Sequence, residues 1–416
     1  MRKERGVQTR SLVLAIVLAL AKVIAVYAAA PPDQLCRLPS IEEKLAVVSG
    51  YSVSEDHGAK AYPHILGSAN SCPDRGLSYR FGGYVKLDAI HDFDAIGATD
   101  NFNVATIPTD GRPGENSRLH ARETRLNMDT RSIAGTRDLR VFVEGDFFNQ
   151  DETSFRIRHA FAEVGGLTVG QTWTTFMDEG PGPRIVDFEN PSGYIIDRRA
   201  LLRYERRIGD SWYLSSGIEE SSLVVTEPAG TTGTTNSLWP DSILRIRWEH
   251  SHFHLQTAAI IREFQFQEDV TNDTQSVTGW GFNFSGRAET TERDTSYFEI
   301  TFGDGIGGFR GVPDAGPDAF GVLEALPAFA WNVAWTHDWS DRFSSNFIFS
   351  RAELTNSAGQ AGSTESGFQY LATNIIWSAR EQVDVGLEYL FGKREDKDGS
   401  SGEANRLHLG IWFYLP

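Results

Sequence analysis

Apolar and polar residues alternate in strand-length runs along most of the chain. In the last run, Leu407, Leu409 and Ile411 form the apolar phase, and Arg406 and His408 belong to the polar phase. A period of two residues places successive side chains on opposite faces of a β-strand. Soluble β-sandwiches and transmembrane β-barrels both show this alternation, so the lengths of the connections between the runs must distinguish them.

The connections alternate between short and long. Gly165-Gly166 and Ala379-Arg380 are tight, whereas 93–117, 174–197 and 304–326 are long and polar. Bacterial outer-membrane barrels join an even number of strands in this way, with short periplasmic turns and longer external loops. The pattern predicts an all-β fold, a 16-stranded antiparallel transmembrane β-barrel whose short connections all lie on one side. The predicted strands are 80–92, 118–132, 136–147, 155–164, 167–173, 198–207, 211–220, 241–250, 253–265, 274–286, 293–303, 327–338, 342–353, 365–378, 381–393 and 403–415.

Three parts of the chain are predicted. A basic start, an apolar core and the small residues at 28–30 indicate a signal peptide over 1–30, and a retained membrane anchor is the alternative. Residues 31–79 are expected to form a periplasmic or lumenal extension, and residues 80–416 the barrel. The only two cysteines, Cys36 and Cys72, lie in the extension. An oxidising periplasm favours a disulfide between them.

Arginine dominates the basic residues. Of the 39 basic residues, 32 are Arg, and no Lys occurs between Lys86 and Lys393. The planar guanidinium group holds carboxylates and phosphates in two-point contacts and stays charged at any working pH. Neighbouring strands lie about 4.8 Å apart, so arginines on the inward phase would form a ladder down one lumen wall. The candidate lumen-facing residues are Arg125, Arg140, Arg156, Arg158, Arg203, Arg207, Arg245 and Arg247.

The long connection 174–197 is the third on its side of the barrel and is expected to fold inward. It is rich in Gly and Pro, which permit sharp turns without regular structure. It also supplies acidic residues that could oppose the arginines across a constriction, namely Asp178, Glu179, Asp187 and Glu189. Such a charged constriction selects solutes by the sign and spacing of their charges. The alternative is that the arginines only pair with lumen carboxylates and stabilise the barrel.

Four segments resemble the DcaP-like outer-membrane porins: Thr124–Arg131 (TRLNMDTR), Val143–Phe148 (VEGDFF), Phe155–Phe161 (FRIRHAF) and Val169–Asp178 (VGQTWTTFMD). The resemblance implies a sixteen-stranded homotrimeric porin with an inward third loop that passes small anionic solutes such as dicarboxylates. It further implies that Arg158 and the Gln171-Thr172-Trp173 segment flank the constriction.

The expected function is passive diffusion of small, anionic solutes across the bacterial outer membrane, without catalysis, cofactor or metal. Two alternatives remain open, a plugged structural or adhesion barrel and an outer-membrane barrel enzyme. The formal net charge of −17 argues against nucleic acid as a partner, since nucleic-acid binding requires a basic face. The expected partners are outer-membrane lipid and lipopolysaccharide, the anionic solutes and two further copies of the chain.

Overall fold

The computed structural model of the protein describes residues 69–72, 77–134, 137–149, 153–180 and 182–415. Within these ranges, sixteen antiparallel strands form a closed barrel, because the first strand pairs with the last along Tyr84–Asp92 and Arg406–Tyr414. The prediction of a sixteen-stranded barrel is confirmed. The first eight barrel strands are β2 (Leu77–Asp92), β3 (Asn116–His120) with β4 (Arg125–Ala134), β5 (Arg137–Asp146), β6 (Arg156–Val164), β7 (Leu167–Trp173), β8 (Arg198–Ile208), β9 (Trp212–Glu219) and β11 (Asp241–His250).

The remaining strands complete the barrel and add short pieces to it. The segments β3 and β4 count as one interrupted strand, because both pair with β2. The other eight barrel strands are β12 (Phe253–Glu268), β13 (Thr274–Glu289), β14 (Asp294–Asp304), β17 (Pro327–Ser340), β18 (Phe343–Leu354), β19 (Glu365–Arg380), β20 (Val383–Asp396) and β21 (Ser401–Tyr414). The short pieces are β1 (Ala69–Cys72), β10 (Gly233–Ser237), β15 (Ala315–Pro317) and β16 (Leu323–Ala325).

The strand boundaries and connections differ from the prediction at a few places. The first barrel strand begins at Leu77, three residues earlier than expected, and β1 pairs with its first residues. The connections 269–273 and 397–400 are short although they lie on the same side as the long loops. Short connections are therefore not confined to one side. The reason is that strands replace sequence predicted as loop: β12 continues to Glu268, β20 continues to Asp396, and β21 begins at Ser401.

Loops fill one side of the barrel interior. Three connections on the long-loop side are named by their order, L1 (93–115), L3 (174–197) and L6 (305–326). Their apolar side chains pack against lumen-facing residues of strands between β11 and β21 in one buried cluster. The loop members of this cluster include Phe102, Ile107, Phe176, Ile195, Ile306 and Phe309. On these strands the lumen phase is mostly apolar or small, as at Ala330, Ala372 and Leu390. This half of the interior is therefore packed in the manner of a protein core.

Within the described residues, no helix is long and apolar enough to cross a lipid bilayer.

Candidate functional site

Loop L3 is attached to strands on different sides of the barrel. Near its start, the Asp178 carboxylate lies 2.8 Å from His254 Nε2 on β12 and accepts a 2.6 Å hydrogen bond from Ser285 Oγ on β13. Near its end, the Ile195 backbone N–H donates to Glu299 on β14 at 2.9 Å. Burial alone would raise the pKa of Asp178, but the charge and hydrogen bond of His254 hold it below the ordinary value. The charged form of Asp178 therefore fastens the first part of L3 to the wall.

The middle of L3 is fastened to the opposite wall through Asp187. Its carboxylate accepts a 3.2 Å hydrogen bond from Arg406 Nη1 and lies 3.3 Å from His408 Nδ1, both on β21. The backbone N–H of Phe102 in L1 donates to the same carboxylate at 2.8 Å. Burial opposes ionisation, but the hydrogen bond with His408 and the charge of Arg406 lower the pKa of Asp187 well below its ordinary value. L1 and L3 thus share one buried anchor.

Glu189 differs from the two anchoring aspartates. Its carboxylate accepts a hydrogen bond from the Asn101 side chain of L1, and no salt bridge to it is found within the described ranges. Burial and the nearby charge of Asp187 raise the pKa of Glu189 to about 7. The charge of Arg156 acts in the opposite direction and lowers this pKa.

The partly accessible lumen surface lies on one side of the barrel. On β12 to β21, lumen-facing side chains away from the strand ends are almost all buried under the loops. On β4 to β9 and β11, several lumen-facing side chains stay half-exposed. The aromatic and basic members of this half-exposed set are Arg125, Arg140, Phe142, Arg156, Phe161, Tyr213 and Arg247, and the acidic members are Glu163, Glu205 and Glu249. Any aqueous path through the barrel must therefore follow this wall.

The first arginine cluster consists of Arg125, Arg156 and Arg158. Arg156 donates two hydrogen bonds to Asp146, at 3.0 and 2.9 Å, and Arg158 donates to Glu144 and Asp146 at 3.1 and 2.9 Å. Arg125 Nε lies 3.6 Å from Glu144. Three guanidinium groups thus share two carboxylates, which leaves the cluster with an excess positive charge.

A β-bulge directs the Arg158 side chain into the lumen. The pairing of β5 with β6 shifts between Glu144 and Gly145, so that Glu144 faces His159 while Gly145 faces Ile157. Arg158 is the unpaired residue of this bulge, and both Arg158 and His159 are buried on the lumen side. The regular alternation of side chains would have placed one of these two residues on the outer wall. A bulge leaves no clear mark in the alternation of a single strand.

Aromatic rings and a further arginine complete this part of the wall. The guanidinium groups of Arg156 and Arg158 lie 5.4 and 5.6 Å from the ring centre of Phe188 in L3. The Arg198 guanidinium lies 4.8 Å from the ring centre of Trp173 and has no salt bridge to any described residue. The charges of Arg125, Arg156 and Arg158 all act on Arg198. The alternation did not indicate Arg198, because this residue occupies the outward phase at the start of β8, and its position directly after L3 was the only available signal.

The second arginine cluster consists of Arg203, Arg245 and Arg247. Arg245 and Arg247 both donate to Glu205, at 2.8 and 3.2 Å, and Arg203 Nη1 lies 3.6 Å from Glu179 of L3. Arg247 also lies 3.2 Å from Glu249. The cluster therefore joins β8, β11 and L3, three segments that are separate in the sequence.

The other predicted site residues lie elsewhere. Arg140 pairs with Asp129 and Glu163 at 3.1 and 3.3 Å, close to the short connection between β4 and β5. Arg207 is exposed near the end of β8 and donates to the carbonyl of Asp210 in the adjacent turn, so it does not face L3. The predicted disulfide cannot be followed, because Cys36 lies outside the described residues.

The comparisons with known proteins agree with this architecture. The sequence model of the DcaP outer membrane protein family matches residues 71–310. The outer membrane channel DcaP of Acinetobacter baumannii is 21% identical, with a TM-score of 0.71, and the alignment covers 82% of this chain and 98% of that one. An anion-selective porin from Comamonas acidovorans is 10% identical, with a TM-score of 0.54 and coverage of 82% and 100%.

A third similar structure is Salmonella typhi OmpF in complex with daunomycin. It is 11% identical, with a TM-score of 0.54, and the alignment covers 82% of this chain and 98% of that one. The chain has no significant match among curated protein sequences. The family match covers more than half of the chain, and the structural neighbours share the same barrel fold. The chain therefore belongs to the DcaP outer membrane protein family and is a β-barrel protein of the bacterial outer membrane.

Proposed function

We propose that the protein is a passive diffusion porin that favours small organic anions, dicarboxylates among them. The observation that carries the proposal is the arrangement of half-exposed arginines along β4 to β11, opposite L3. The first cluster has three guanidinium groups for two carboxylates, and Arg198 beside it has no salt bridge to a described residue. Excess positive charge in a narrow, partly desolvated lumen attracts anions and repels cations.

The net charge of the whole chain does not oppose this proposal. The formal charge of −17 is spread over the entire sequence, whereas selectivity depends on the charges that border the path. Carboxylates in exposed loops are screened by salt over about 8 Å at physiological ionic strength. The anion-selective Comamonas acidovorans porin is consistent with the same function on the same fold.

The first experiment records single-channel currents of the purified protein in a planar bilayer under a salt gradient. Stepwise currents with a reversal potential that indicates anion preference, and block by added succinate, are the expected results. The variant Arg198→Gln should reduce the anion preference, because it removes a guanidinium without freeing a paired carboxylate. Arg206→Gln, on the same strand but exposed near the short-turn end, is the matched control. Cation preference in the wild type would contradict the proposal, and absence of any current would indicate a plugged barrel.

The outer wall of β5, β6 and β7 supports a homotrimer. These strands contain 10, 9 and 7 residues, whereas β12, β13 and β19 contain 16. A tilted strand of seven residues spans only about 16 Å, less than the apolar band of about 25 Å in outer-membrane barrels. Several outward side chains of β6 and β7 are small, as at Ala160, Ala162 and Val169. Aromatic residues such as Phe282 and Trp377 occupy the outer face elsewhere. Two further copies of the chain, rather than lipid, would cover this short wall.

A further inference from the structure

The second arginine cluster contains buried hydrogen-bond donors without acceptors. The Nη1 atoms of Arg203 and Arg245 are inaccessible to solvent and have no hydrogen-bond partner among the described residues. The two residues are only 8% and 2% exposed. A buried guanidinium donor without an acceptor is unfavourable, because the group loses its hydration without compensation. An acceptor brought by a ligand would remove this cost.

The nearest candidate acceptor is a carboxylate that fits poorly. Glu179 of L3 has its Oε1 3.6 Å from Arg203 Nη1, which is too long for a direct hydrogen bond. Its side chain is 31% exposed, so it covers the arginines from the accessible side of the lumen. Glu179 therefore stands at the place where the carboxylate of a solute would meet Arg203.

Glu205 has a different role in the same cluster. It accepts hydrogen bonds from Arg245 at 2.8 Å, Arg247 at 3.2 Å and Ser215 at 2.7 Å. These bonds hold it as a fixed counter-charge to two of the three arginines. Arg203 has no comparable fixed partner, because Glu179 is carried by a loop and is half-exposed. The cluster can therefore accept one additional carboxylate without accumulating a large excess of negative charge.

We propose that Arg203 and Arg245 form a binding site for a carboxylate group of the passing solute, and that Glu179 is a built-in competitor for this site. The inference rests on the proposed function and assigns a particular role to one loop residue. Solute binding displaces the Glu179 carboxylate from Arg203, and Glu179 returns as the solute leaves. A competitor attached to L3 keeps the binding weak, and permeation requires binding that is weak enough for release.

The test measures the succinate concentration that blocks half of the single-channel current, using the full-length protein. Glu179→Gln should lower this concentration about three- to tenfold, since it removes a competing charge near a buried guanidinium. Arg203→Gln should raise it about tenfold, because it removes one of the two arginines that receive the solute. Glu353→Gln, which breaks the exposed pair with Arg351, should leave it unchanged within about twofold.

The double variant Glu179→Gln/Arg203→Gln tests whether the two residues act on one site. In the Arg203→Gln background, Glu179→Gln should give no improvement, because no guanidinium remains at that position for it to compete for. Heat-modifiable migration on gels verifies that each variant is folded. An improvement that persists without Arg203, or a Glu179→Gln protein that behaves like the Glu353→Gln control, overturns the inference while leaving anion selectivity intact. A wild type without anion preference overturns the proposed function and this inference together.

Discussion

Replacement of Arg406 should destabilise the barrel more than any change to an exposed ion pair. Arg406 is fully buried on β21 and donates to Asp92 at 2.6 and 3.2 Å, to Asp187 at 3.2 Å and to the carbonyl of Ala98 at 2.9 Å. It therefore joins β2, L1 and L3. The variant Arg406→Gln would leave Asp92 buried without its cation and would leave Asp187 with His408 as its remaining charged partner. Removal of one member of a buried ion pair costs about 3–5 kcal/mol.

The effect can be measured by urea unfolding in detergent micelles, followed by tryptophan fluorescence. With a denaturant dependence of about 3 kcal/mol per M, the expected loss lowers the urea midpoint by more than about 1 M. The control is Arg351→Gln, whose partner Glu353 is half-exposed and whose loss should cost less than about 1 kcal/mol. Equal midpoints for the two variants would refute the conclusion that Arg406 anchors the loops. A rescue by Asp92→Asn in the Arg406→Gln background would support it, because one uncompensated carboxylate is removed.

Three further predictions concern pH, loop position and assembly. The pKa of Glu189 is raised to about 7, so its carboxyl becomes neutral as the pH falls from 8 to 6. The anion preference of the channel should therefore rise over this interval, and the Glu189→Gln variant should lose this pH dependence. An identical pH profile in both proteins would contradict this. The same raised pKa means that the folded state binds the proton more tightly, so this group lowers stability as the pH rises from about 4.5 to 7. Gly193→Ala places a Cβ 2.6 Å from the carbonyl oxygen of Trp331 and should lower the free energy of unfolding by about 1–3 kcal/mol, measured by thermal or urea unfolding. The control Gly367→Ala meets only ordinary van der Waals contacts. Equal stability of the two variants would show that L3 accommodates the methyl group. Ala162→Trp on the short outer wall of β5 to β7 should dissociate the proposed trimer, as measured by size-exclusion chromatography with light scattering. The control Ala259→Trp on β12 should leave the trimer intact. A trimeric Ala162→Trp protein would argue against this interface.

The barrel itself was predictable because its determinant is local. Each strand follows from a two-residue alternation within a run of seven to sixteen residues, and each tight turn follows from residues such as Gly165 and Gly166, both of which adopt positive φ. The strand boundaries were less predictable, because β12 and β13 continue beyond the point where apolar residues alternate. Their extension depends on pairing with each other, from Phe253 with Ala288 to Gln267 with Thr274.

The two arginine clusters were predictable only in part. Alternation indicated that Arg125, Arg203 and Arg245 face the lumen, but it did not indicate which arginines share a carboxylate. That depends on the register between strands, as when Ser215 and Glu205 come together beside Arg245. The bulge at Arg158 and the placement of Arg198 beside Trp173 also required the three-dimensional structure.

The sequence by itself determined the all-β class, the number of strands, their order and the phase of each strand that faces the lumen. It could do so because side-chain direction in a strand follows from the backbone period alone. Only the tertiary structure decided where L3 is fastened, that Asp178 and Asp187 hold it on different walls, and that Glu179 is left to face Arg203. A loop without regular structure has no period to reveal its direction, and its path is set by buried ion pairs with strands that lie far away in the sequence.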